Sequence, residues 1–191
     1  MVDLANIKNF TVSRPEGWTL FGQAADFDAL PQTHKDQILF LDKEASKYIW
    51  KFSGDANLLT GGGWAPFEGG NFRQVDQFAD FRRNEESNSA LKKWLHHRGI
   101  LYPTWVFVLN EGDDQVILTT WKMVIKYAAE LFTINDTLVF GSTLHWCLFF
   151  YHEDQLFFGS GPVYDATNDE KKMEELNERK KNYPQFRHPY L

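Results

Sequence analysis

Apolar and polar positions are most legible between residues 104 and 159. Residues 105–109 form a strongly strand-forming run, and Asn110-Glu111-Gly112-Asp113-Asp114 is a cluster of turn formers before the return run at 116–118. Thr119 or Thr120 is placed to cap a following helix. On that helix Trp121, Val124, Ile125, Ala128 and Phe132 share one face, with Lys122, Lys126 and Glu130 opposite. Three further apolar runs at 138–140, 146–151 and 156–158 read as strands, separated by Gly141-Ser142 and by the turn His152-Glu153-Asp154-Gln155. The expected order over residues 104–159 is β-β-α-β-β-β. The predicted fold class is α+β: a mainly antiparallel sheet with helices packed on one face and additional N-terminal helices.

Patterning on either side of this block is weaker. Residues 18–21 suit a short strand, and residues 38–41 suit a buried strand or the lead into a helix. Asp42 caps a helical pattern in which Ala45, Ile49 and Phe52 line one face. Residues 54–72 hold two glycine runs around Trp64, Pro66 and Phe67, and composition makes this a flexible loop. Its apolar residues either fold back on the body or form a contact patch. Phe72, Val75, Phe78 and Phe81 recur every three residues, so 72–99 reads as helix. A polar break interrupts it, Ser87 or Asn88 caps a second segment, and Gly99 ends that segment. The expected division is one domain over 1–162, with the glycine-rich loop inside it, and a charged C-terminal helix and extended tail over 163–191. Met173 and Leu176 are the clear apolar positions of that helix, which implies an exposed or partly docked appendage.

Composition sharpens this in three ways. The chain of 191 residues is 16% aromatic and holds a single cysteine, so its core does not depend on an internal disulfide. Cys147 sits in an apolar run, where a small buried hydrophobe is expected and a reactive thiolate is not. Residues 1–10 lack a basic stretch followed by an apolar one, and no run approaches the roughly 20 apolar residues of a membrane span, so a cytoplasmic chain with no membrane contact is expected. The formal net charge of −6 argues against nucleic acid, whose backbone is held by Lys and Arg, and favours a basic protein partner.

Candidate chemistry is sparse. The histidines at 34, 96, 97, 145, 152 and 188 match no metal-ligand spacing, so neither a metal nor a cofactor is expected. Gly61-Gly62-Gly63-Trp64 lacks the Lys-Ser/Thr ending of a phosphate loop. The paired acids Asp113-Asp114 and Glu153-Asp154 fall in predicted turns, where Asp is favoured for local hydrogen bonding. The most suggestive polar group is His145 with His152 and Glu153, which punctuate an aromatic sheet.

The segments Thr119-Thr120-Trp121, Asp136-x-Leu138-Val139-Phe140-Gly141 and Trp146-x-Leu148-Phe149-Phe150-Tyr151-His152-Glu153, closing at Phe158-Gly159, form an aromatic pattern. The pattern resembles small bacterial proteins known only as domains of unknown function, and is more loosely similar to immunity proteins of bacterial toxin systems. The resemblance covers residues 104–159, with a fainter echo at Leu41-Asp42, Ala45 and Trp50. It implies a cytoplasmic bacterial protein without established enzymology.

Three functions are therefore weighed. The first is a non-enzymatic, immunity-like binding protein that meets a basic partner through Trp64, Phe67 and the Glu111, Asp113, Asp114 turn. The second is a small hydrolase or ligand-binding enzyme with His145, His152 and Glu153 around a cleft. The third is a small-molecule sensor with an aromatic pocket.

Overall fold

The computed structural model describes residues 2–15, 27–112, 114–163 and 169–185, with the backbone alone at 169–172. The segment 18–21 and Asp113 lie outside the described residues. One open antiparallel sheet organises the rest. Its strands are β1 (Thr11–Val12), β2 (Ile38–Leu41), β3 (Phe72–Phe78), β4 (Trp105–Asn110), β5 (Ile117–Thr120), β6 (Thr137–Gly141), β7 (Trp146–Tyr151) and β8 (Gln155–Pro162). They lie in the order β1-β2-β5-β4-β6-β7-β8-β3. The α-helices among the described residues are α1 (Gln32–Lys35), α2 (Lys43–Asp55), α3 (Glu85–His96), α4 (Trp121–Lys126), α5 (Ala128–Leu131) and α6 (Asp169–Asn182). Over 104–159 the observed order is the expected strand, strand, helix, strand, strand, strand, with the helical stretch divided at Tyr127 (φ −108°, ψ 31°).

The central strands are apolar at consecutive positions because both faces of the sheet are covered. Along β4, Val106 and Val108 point to one core while Phe107 and Leu109 point to the other. The first core is roofed by α3, α4 and α5 through Leu91, Leu95, Trp121, Val124 and Leu131. This is the face expected to carry the helix after β5. The second face is covered as well, by Val2, Leu4 and Ile7, by Ala45, Ile49 and Phe52 of α2, and by Leu176 and Tyr183 at the C-terminal end. Each Val, Leu, Ile or Phe among these contributes roughly 1.5–3 kcal/mol when fully buried.

Local chemistry explains the helix starts. Asp42 caps α2 by accepting from the Ala45 N–H at 2.8 Å, as its position predicts. Such a cap is worth about 1 kcal/mol. Ser46, one turn in, is fully buried and ties α2 to the sheet: its hydroxyl donates to the Leu41 carbonyl at 3.3 Å and accepts from the Val116 N–H at 3.0 Å. The cap of α3 is Asn84, which accepts from Ser87 N–H, and not Ser87 or Asn88.

The main correction concerns residues 72–78. Their spacing of three reads as helix, yet they form strand β3, paired antiparallel to β8 with Val75 opposite Gly159 and Phe78 opposite Leu156. Ladder bonds to an existing strand outweigh a weak local pattern. Asp80 (φ 65°) and Arg83 (φ 53°) then take left-handed conformations, which no helix running through to residue 96 could contain.

The C-terminal helix is docked by its few apolar residues. Leu176 and Tyr183 are buried and Met173 packs beside them. The Tyr183 ring meets Phe52 at 4.6 Å and Tyr48 at 5.6 Å, and its hydroxyl donates to Asp55 Oδ2 at 2.8 Å. Among the described residues no helix is long and apolar enough to cross a membrane.

Candidate functional site

Antiparallel pairing gathers the connections at one end of the sheet. Thr137 pairs with Phe150, so the residues just before β6 lie beside those just after β7. Asp136 uses that adjacency. Its Oδ1 accepts from the His152 backbone N–H at 2.9 Å and from the His152 ring Nδ1 at 2.8 Å. Its carbonyl accepts from Glu111 N–H at 2.8 Å, which ties the β4–β5 turn to the same point. With Nδ1–H given to the carboxylate, Nε2 of His152 faces outward, 3.9 Å from Glu153 Oε1. His152 and Glu153 are both exposed.

The glycine-rich loop reaches this end from the second face. Thr60 and Gly61 N–H both donate to the Pro66 carbonyl, at 2.9 and 3.1 Å, so the loop closes on itself. Gly63 sits at φ 53°, and a Cβ there would lie 3.2 Å from the Tyr151 ring; glycine permits both the turn and the approach. The loop is therefore shaped by specific contacts and not by composition alone. Trp64 stands at its tip, 59% exposed, with its ring edge-on to Tyr151 at 5.3 Å. Tyr151 in turn lies 4.4 Å from the His152 ring. On the other flank Arg83 pairs with Asp154 at 2.6 Å and donates to the carbonyls of Phe132 and Thr133. This fixes the 133–136 turn, whose Ile134 is 78% exposed.

Most sequence-nominated residues thus meet at one place. Trp64, Glu111, Asp114, His152 and Glu153 belong to the loop and turns at this end, and Glu111, Asp114 and Glu153 are exposed. Two do not join them. Phe67 is buried, edge-on to Phe72 at 5.0 Å, because the loop folds back onto the core; it is not a contact residue. His145 is exposed but precedes β7, whereas His152 follows it. At about 3.3 Å per residue the strand separates them by about 20 Å, so His145, His152 and Glu153 do not surround one cleft.

The sequence pattern does not single out Asp136, Tyr151 or Ile134 as site residues. The signal that would have found Asp136 is strand register: once β6 and β7 are paired, the residue before one must neighbour the residue after the other.

The opposite end of the sheet carries a cluster of basic groups, with Asp28 and Asp36 on the connection into β2 as its acids. No acid occurs from residue 87 to residue 110, and this stretch ends α3 with Lys92, Lys93, His96, His97 and Arg98. The Lys122 N–H donates to the Tyr102 carbonyl at 3.0 Å, and the Tyr102 ring lies 5.6 Å from His96, so these groups form one basic end together with His145. Leu101 is 74% exposed there.

The acidic end exposes the Trp64 indole, Ile134, the carboxylates of Glu111, Asp114 and Glu153, and the His152 imidazole, which is held by Asp136. Among the described residues no group of three or more His, Cys, Asp or Glu is arranged to hold a metal ion. Cys147 is fully buried, and burial pushes its thiol well up from the ordinary value, away from thiolate chemistry.

Fold and site together define an open antiparallel α+β sheet, covered by helices on both faces, with a structured acidic end. No family model, curated protein or solved structure matches the chain.

Proposed function

We propose that this chain is a non-enzymatic binding protein, immunity-like and of the bacterial cytoplasm, that meets a basic protein partner through the acidic end of its sheet. The observation that carries this reading is the joining of segments far apart in sequence: Asp136 accepts from His152 and from the Glu111 N–H, and Tyr151, beside the His152 ring, meets Trp64. The aromatic core of the patch supplies desolvation and its acidic rim steers a cationic partner. The resemblance of residues 104–159 to immunity proteins, and the net charge of −6, support the same reading.

The test is affinity capture with the tagged chain, from lysate of its native host and with the purified product of the neighbouring gene. A stoichiometric partner is expected at about 50 mM salt and should be released near 500 mM, where the Debye length falls from roughly 14 to roughly 4 Å. The triple variant Trp64→Ala, Glu111→Lys, Glu153→Lys should capture nothing. No partner at low salt, or equal capture by the triple variant, refutes the reading.

The His152–Asp136 pair favours a second reading, in which Nε2 acts as a general base on a bound ligand. It would be distinguished by a turnover that His152→Ala abolishes.

A further inference from the structure

The two edges of the sheet differ. One is β1, two residues long. The other is β3, with seven residues, of which Arg73 to Gln77 are exposed. Among the described residues no backbone bond from 73–79 runs to anything but β8, so the outer edge of β3 is open. Open edges of this length are templates for another strand.

We infer that β3 pairs antiparallel with β3 of a second copy, about a two-fold axis at Val75, to form a dimer with one continuous sheet. The strand reads Phe-Arg-Gln-Val-Asp-Gln-Phe, with phenylalanine at both ends and Val75 at its centre. Pairing about Val75 is the register that overlaps all seven residues. It places Val75 opposite itself, Gln74 opposite Asp76 and Arg73 opposite Gln77, so no like charges face each other. A shift that centred Asp76 would set two carboxylates opposite, which is unfavourable. In the chosen register Asp76 is paired with Arg98 of its own chain, which limits repulsion between the copies. Val75 is an exposed apolar residue, 48% accessible, at the middle of an otherwise polar strand.

The choice of a second copy as the occupant rests on charge as well as register. Phe78 lies at the acidic end of the sheet, opposite the start of β8, and Phe72 at the basic end. An antiparallel pair therefore sets the acidic end of each copy beside the basic end of the other. The arrangement is closed and isologous. It also leaves the two acidic ends facing opposite ways, free for partners.

Sedimentation equilibrium of the full chain tests this. The expected result is a two-chain mass at about 50 mM salt, with a dissociation constant several-fold weaker near 500 mM. Val75→Lys, which puts like charges on the axis without altering the backbone, should weaken association by at least about tenfold. Under mild oxidant, Val75→Cys should form a disulfide with its symmetry mate, and Val12→Cys on the short edge should not; the native Cys147 is buried and does not compete. A one-chain mass throughout at low salt, association unchanged by Val75→Lys, or no disulfide at Val75→Cys overturns the inference. Partner capture through the acidic end is unaffected by Val75→Lys, so the two proposals fail separately.

Discussion

The two ends of the sheet are made by the same central strands and differ in what their connections carry. At one end the turns present Glu111, Asp114, Asp136 and Glu153 around Trp64 and Ile134; at the other, the end of α3 and the start of α4 present Lys93, His96, His97 and Lys122 around Leu101 and Tyr102. The strands between them are apolar on both faces and carry almost no charge. The scaffold accounts for its own sequence by packing. The ends are not required by packing, and the clustering of acids at one and bases at the other is what the proposed binding role rests on.

The strongest way to sharpen this contrast is to compare two tryptophans. Trp121 is fully buried among α3, α4 and β7, with its ring 5.2 Å from Trp146. Trp121→Ala should lower the free energy of unfolding by about 3–5 kcal/mol in urea titrations. Trp64→Ala, which loses only an exposed contact with Tyr151, should cost about 1 kcal/mol or less and leave the fold intact. A large loss at Trp64 would mean that the loop supports the core and is not a contact surface.

A smaller effect separates buried polar scaffold from exposed polar site. Ser46→Ala leaves the Val116 N–H without its acceptor inside the second core and should cost about 1–3 kcal/mol. Asp136→Ala should cost about 1 kcal/mol, by freeing the 152–154 turn from the 133–136 turn. Its distinguishing readout is faster amide exchange at His152.

The smallest expected effect is a pH dependence far from both ends. Burial raises the Asp55 carboxyl, but the hydrogen bonds from Lys51 and Tyr183 outweigh this and hold it below the usual carboxylate range. A carboxyl depressed in the folded state stabilises the fold above the unfolded value of about 3.9. That contribution is lost as pH falls through the lower folded value. Asp55→Asn should therefore flatten the acid limb of the stability curve between about pH 5 and pH 2, by under about 1 kcal/mol because the group is partly exposed.

Residues 104–159 were legible because their signals agree: strand runs, turn formers and an amphipathic helix all indicate one topology, although the expected side-chain cap is not made and the Thr119 and Thr120 hydroxyls donate to Gln37 instead. The cap at Asp42, with Ala45, Ile49 and Phe52 on one face, was legible for the same reason. Strand β3 was not, because an exposed edge strand has no buried face to impose a period of two. Its accidental spacing of three was the only pattern present. Of the site, Trp64, Glu111, His152 and Glu153 could be nominated singly from turn chemistry and unusual loop composition. Their convergence could not, since it depends on the β6–β7 register and on the loop folding back through Phe67. That same folding back is why Phe67, adjacent in sequence to the exposed tip, is core.

The central claim is that the acidic end is the binding surface and the basic end is not. The direct measurement is the affinity of the captured partner for two variants, Glu111→Lys with Glu153→Lys at one end and Lys93→Glu with Lys122→Glu at the other, at low salt. The account predicts a loss of at least about tenfold for the first pair and no comparable loss for the second. Equal affinity for wild type and the acidic-end variant, or a loss confined to the basic end, would contradict it.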